Sequence, residues 1–169
     1  MNAMRAQELI EVLRLQRHPE GGWYREVFRS TGQVDPQQGR PRRDALTSIY
    51  FLLEAGQQSR WHRVLSDEVW VHLEGVPIAL WTCDAALRTA PAHARLGPVD
   101  AHGTRPQQMV PAGQWQAARP LVAHSSGDYS LAACMVAPGF DFADFSLMAP
   151  DGDEAAVLRH HWPELASLI

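Results

Sequence analysis

Residues 56–75 read GQQSRWHRVLSDEVWVHLEG, and this stretch decides the fold. It divides into two runs rich in aromatic and β-branched residues around a polar break at Leu65–Asp67. That is the pattern of two strands joined by a tight turn. Side chains alternate between faces along a strand. His62 and Val64 therefore share one face of the first strand, and Glu68, Trp70 and His72 share one face of the second. With both faces turned inward, these five residues line one cavity. Trp61 falls on the opposite face, as does Trp115 further along, where packing or an interface suits them.

Working outward, strand signals recur along most of the chain. They predict strands at Trp23–Ser30, Ala45–Leu53, Ser59–Val64, Glu68–Leu73, Val76–Thr82, Gln108–Val110, Trp115–Ala118, Tyr129–Val136 and Phe140–Leu147. Many short strands between Gly/Pro turns indicate a sandwich, barrel or jelly roll. A helix is expected over residues 4–17, with Leu9, Val12 and Leu13 as its apolar stripe. The turn HPEGG (18–22) ends it. A helical segment is expected over about 153–168, with Asp151 or Asp153 as cap and a restart at Pro163. The chain thus reads as one mainly all-β domain over 1–169, its barrel spanning about 22–148. Thr31–Arg43 reads as a loop carrying a solvated cluster of Arg40, Arg42 and Arg43.

The bulk numbers agree with a small soluble domain. The 169 residues are 46% hydrophobic and 20% charged, with a net charge of −4. A nucleic-acid partner would call for a clearly basic surface, so none is expected. No run reaches 18 apolar residues, so no membrane partner is expected either. Cys83 and Cys134 form no CxxC pair and read as buried free thiols, Cys134 as a small hydrophobe. The N-terminus lacks the apolar region of a signal peptide, and a cytoplasmic location is expected.

Spacing then adds a resemblance. The first motif of the cupin superfamily has the form G(X)5HXH(X)3,4E(X)6G. Gly56, His62, Glu68 and Gly75 occupy its anchors, with Val64 in place of the second histidine. The second motif, G(X)5PXG(X)2H(X)3N, is met in part. Pro111-Ala112-Gly113 supplies the turn, Gln116 stands at the histidine, Arg105 at the leading glycine and Pro120 at the asparagine. The stretches HPEGGWYRE (18–26), TSIYFLL (47–53), MVPAGQWQAA (109–118) and VAPGFDFADF (136–145) resemble an uncharacterised branch of the same superfamily. The resemblance implies a cupin jelly-roll barrel and a homodimer. It implies no settled reaction.

For the site, the resemblance implies a metal centre reduced to His62, Glu68 and Gln116. An amide oxygen is a poor ligand beside imidazole and carboxylate. No cofactor is therefore favoured, and a divalent metal is the lesser expectation. His62 and Glu68 read first as a hydrogen-bonded acid–base pair. Tyr24, Tyr50 and Tyr129 are the candidate acids, the first two in early strands that should border the pocket, with Tyr24 taken first. Trp70, His72, Gln116, Glu20 and Phe140 are candidate ligand-binding residues. Three functions stay open. One is a metal-free isomerase, epimerase or lyase acting on a sugar- or nucleotide-like polar metabolite. The second is a non-catalytic sensor or storage-type binding protein. The third is a metal-dependent cupin enzyme with a reduced ligand set.

Overall fold

The computed structural model describes residues 2–36, 39–121 and 125–169. In chain order the elements are α1 (Asn2–Val12), β1 (Gln16–Arg17), β2 (Trp23–Arg29), β3 (Gln33–Val34), β4 (Arg43–Asp44), β5 (Thr47–Glu54), β6 (Ser59–Val64), β7 (Asp67–Gly75), β8 (Ile78–Cys83), β9 (Ala92–Leu96), β10 (Gln107–Val110), β11 (Trp115–Pro120), β12 (Tyr129–Ala137), β13 (Phe145–Leu147) and α2 (Asp153–His161). A six-stranded antiparallel sheet in the order β1-β2-β5-β12-β7-β10 faces a five-stranded one in the order β13-β6-β11-β8-β9. This is a jelly roll with a helix at each end of the chain.

Alternation along the strands sorts side chains into three apolar layers. Phe51, Leu53, Trp70, Ile78, Leu80 and Leu96 meet between the sheets. Leu52, one residue out of phase with Phe51, lies on the outer face under α1, packed with Ala6, Leu9 and Ile10. Trp61 and Trp115 point out of the other sheet and are covered by Leu158 of α2 and Leu165 of the 3-10 turn Pro163–Leu168. Burying large apolar side chains contributes roughly 1.5–3 kcal/mol each, so the helices act as lids over surfaces the sheets leave apolar.

Several expectations are corrected. The first helix stops at Val12, not Arg17, because Arg14 turns with φ at 53° and Gln16–Arg17 pairs with β2. Val12 is 69% exposed and leaves the apolar stripe. Phe140–Leu147 is not one strand. Asp141 accepts a hydrogen bond from the Ala143 N–H and starts a 3-10 turn at Phe142–Asp144, which leaves only Phe145–Leu147 extended. Such local side-chain bonds compete with sheet pairing. The arginine cluster is only partly solvated. Arg43 is buried and makes two hydrogen bonds to Asp144, and Arg40 adds a third. The cap of α2 is Gly152, with no side-chain bond. Strand β9 carried no strand signal. Among the described residues no helix is long and apolar enough to cross a membrane.

Candidate functional site

A cavity of about 490 Å³ opens at one end between the sheets. That is the size of pockets that enclose a small metabolite. Its walls include Ile49, Phe51, Val64, Val136, Phe140 and Phe142, and its polar floor is His18, Glu20, His62, Glu68 and Cys134. Tyr24 also lines it, with its ring edge-on to His18 at 4.5 Å between centroids.

The turn at 18–22 plants two of these side chains. Gly21 has φ at +114°, and a Cβ there would fall 2.1 Å from the Gln58 carbonyl oxygen. Only glycine tolerates both the dihedral and the approach. The Glu20 carbonyl accepts the Arg60 N–H at 2.9 Å, which staples the turn to β6. Glu20 is thereby delivered beside Ser59 and His62, and all three are buried.

The hydrogen-bond chemistry of this cluster fixes its protons. His62 Nδ1 lies 2.7 Å from the Arg60 carbonyl oxygen, which only accepts, so Nδ1 carries the hydrogen. His62 Nε2, left as an acceptor in the neutral ring, stands 3.2 Å from Glu20 Oε2. His18 Nδ1 accepts the Glu20 backbone N–H at 3.2 Å, so it too is a lone pair, and it stands 3.4 Å from the same oxygen. The other oxygen, Oε1, accepts the Ser59 hydroxyl at 2.8 Å. An ionised Oε2 facing two lone pairs would be repelled by both. A single proton between Glu20 and His62 resolves the geometry. Burial acts the same way, raising Glu20 from 4.5 to about 8 and lowering His62. His18 is lowered to about 4, first by burial and then by His62.

Glu68 is held from a different side. Gln116 Oε1 accepts the Trp70 indole N–H at 3.0 Å. An indole only donates, so the amide oxygen faces Trp70 and the amide nitrogen faces Glu68, donating to Oε2 at 2.6 Å. The Cys134 thiol, kept protonated by burial, neighbours Glu68 in the cavity lining and favours its charged form. Burial raises Glu68 to about 7, against the opposing pull of His62.

Glu20, Tyr24, His62, Glu68 and Phe140 thus line the cavity, while Trp70 and Gln116 stand behind it as supports. Tyr50 and His72 do not line it. Tyr50 alternates outward with Leu52 and packs under α1. A register shift between Leu131 and Ala132 marks the far end of β7, where His72 Nε2 lies 3.3 Å from the Val76 carbonyl. The acid–base pairing is also corrected. The carboxylate within hydrogen-bond reach of His62 is Glu20, and Glu68 acts on His62 only through its charge. The sequence marks Cys134 only as a small buried hydrophobe and leaves His18 either solvated or reaching over the barrel mouth. The HPEGG turn was the available signal for His18, since two positive-φ glycines imply a close approach to something.

The cavity residues do not fit a resident metal. Val64 offers no donor, and Gln116 presents its N–H rather than its oxygen toward Glu68. Among the described residues no group of three or more His, Cys, Asp or Glu side chains is arranged as a metal site.

Comparison with known proteins places this geometry. Residues 7–148 match the family described as Cupin superfamily (DUF985). A protein of known crystal structure from Shewanella oneidensis is 33% identical, with a TM-score of 0.79 over 96% of this chain and 93% of that one. A hypothetical protein from Leishmania major is also 33% identical, with a TM-score of 0.81 over 97% and 96%. An oxalate decarboxylase from Bacillus subtilis shares the fold at 14% identity, with a TM-score of 0.55 over 90% of this chain and 37% of that one. No curated protein matches the chain.

Proposed function

The chain belongs to the cupin superfamily (DUF985), and from that premise we propose that it is a small-molecule enzyme using metal-independent acid–base catalysis in the cavity at His62. The reaction class is proton transfer at a carbon next to a carbonyl, as in an isomerase, epimerase or lyase. The observation that carries this is the 3.2 Å approach of Glu20 Oε2 to His62 Nε2 on the cavity floor, with His62 Nδ1 engaged by the Arg60 carbonyl.

Glu68, poised near 7 by burial, is suited to take a proton from carbon at neutral pH. The Glu20–His62 pair supplies its proton to the carbonyl oxygen, giving an enol. Return of the Glu68 proton to the adjacent carbon, with a hydroxyl proton of the enediol passing back to the Glu20–His62 pair, completes an isomerisation and restores both groups. Gln116 positions Glu68 by its hydrogen bond, and Trp70 fixes Gln116 in turn. A homodimer accompanies this reading as the family expectation, and cytoplasmic residence as the expectation from the sequence.

The test is solvent hydrogen exchange. In heavy water, NMR follows deuterium uptake next to the carbonyl in a panel of amino- and hydroxy-carbonyl compounds. Uptake is expected to survive chelator treatment and to vanish in Glu68→Gln and His62→Ala. Loss on chelation with recovery on adding a divalent cation would overturn the metal-independent reading. Tight binding in the cavity with no exchange would make the protein a binding module.

A further inference from the structure

The cavity carries an imbalance of charge and of surface that the acid–base chemistry does not require. Glu20 keeps its proton, which leaves three other acids in the lining, Glu26, Glu68 and Asp141, against one guanidinium, Arg29, while the two imidazoles, His18 and His62, are held neutral by burial. Arg29 is already spent. Its Nε and Nη2 hold the two oxygens of Glu26 at 2.9 and 2.7 Å, its Nη1 holds Asp44 at 2.9 Å, and its Nη2 also reaches the Phe140 carbonyl at 3.2 Å. A phosphate or carboxylate entering this cavity would find no unengaged guanidinium and would face the acids.

Aromatic rings supply the other half. Phe140 and Phe142 meet at 5.0 Å between centroids and 83° between planes, so they form two adjoining walls at right angles. Phe142 is 52% exposed although it lines the cavity mouth. Packing within the fold does not explain that exposure. Tyr24 and Phe51 add ring surface to the same cavity. A ring face attracts a cation placed over it, and right-angled rings beside a carboxylate form the cage that recognises alkylated ammonium groups. Glu68 has accepted one hydrogen bond, from Gln116. A carboxylate can accept about four, so it has capacity for a donor from the ligand.

We propose that the ligand of this cavity is a small organic cation, an alkylammonium seated against Tyr24, Phe140 and Phe142 and facing Glu68. This deepens the proposed function by naming its substrate class. It rests on this cavity being the ligand site and needs no turnover within it. A neutral polyol is the nearest competitor, since sugars also stack on rings. Its hydroxyls draw no benefit from the excess of acids over free bases.

The experiment is calorimetric titration of the full chain with four probes: choline, its uncharged isostere 3,3-dimethylbutan-1-ol, glucose and inorganic phosphate. Choline is expected to bind at least tenfold more tightly than the isostere. The preference should fall severalfold in Phe142→Leu and collapse in Glu68→Gln, with both variants folded by circular dichroism. Tighter binding of phosphate, glucose or the uncharged isostere, lost in Phe142→Leu, would overturn the cation and leave the cavity as the site. Failure of all four to bind at millimolar concentration would overturn both.

Discussion

The two ends of the space between the sheets are built from the same strands and obey opposite rules. At the closed end Trp70, Ile78, Leu80 and Leu96 pack with almost no exposure. At the open end Glu20, His62 and Glu68 are nearly as deeply buried, yet each is ionisable. Burial stabilises the first group and penalises the charged forms of the second. One end contributes stability and the other spends it on proton chemistry, as functional sites commonly do. The contrast teaches that the depth of burial alone does not identify core; the partner of each polar atom does.

Substitution can set the ends against each other. Trp70→Ala should have the largest effect, costing about 3–5 kcal/mol by chemical denaturation, because it opens a cavity and frees Gln116. A loss below about 1 kcal/mol would break the distinction between the ends. Gly21→Ala comes next. Its Cβ would meet the Gln58 carbonyl and its φ is unsuited to alanine, so about 2 kcal/mol should be lost. Exchange activity should fall with it, since the turn delivers Glu20.

The pH dependence should separate the ends with a sign. Glu20 is raised from 4.5 to about 8, so its contribution to stability is full below 4.5 and is lost as pH climbs through about 8. Glu68, raised to about 7, acts in the same direction. His18, lowered to about 4, contributes above 6.5 and loses that contribution as pH falls through 4. The melting temperature should therefore fall by roughly 5 °C from pH 6.5 to 8.5, an ordinary shift for 1–2 kcal/mol in a chain of this size. In Glu20→Gln the fall should be shallower, and the variant should be the more stable protein at pH 8.5 while losing exchange. A decline as steep as in the parent would remove Glu20 as its source. His72→Gln should do least, within about 0.5 kcal/mol and with exchange intact, because His72 is outside the cavity.

What was legible in the sequence follows the range of the forces involved. The inward placement of His62, Glu68 and Trp70 follows from a period of two within single strands, and the jelly roll follows from strand spacing. Glu20 as the partner of His62 was not legible, because a turn at 18–22 meets β6 some forty positions later. His72 keeps the phase of Glu68 and Trp70 but lies beyond Trp70, at the end of β7 away from the cavity, and the Phe142 turn depends on the Asp141 side chain competing with strand pairing. Asp144 as the anchor of Arg43 is a contact 101 residues apart in sequence. The partners of Glu20 and Arg43 are set by tertiary meetings, whereas the Phe142 turn is a local bond that overrides the strand pattern.

The central claim is that one proton sits between Glu20 and His62, on the carboxyl of a neutral pair. Carbon-13 and nitrogen-15 NMR titration of labelled glutamate and histidine measures it directly. The Glu20 carboxyl carbon should titrate near 8, while His62 stays neutral with its hydrogen on Nδ1 from pH 6 to 8. A Glu20 midpoint in the ordinary range near 4.5, with a doubly protonated His62 at pH 6, would contradict the account.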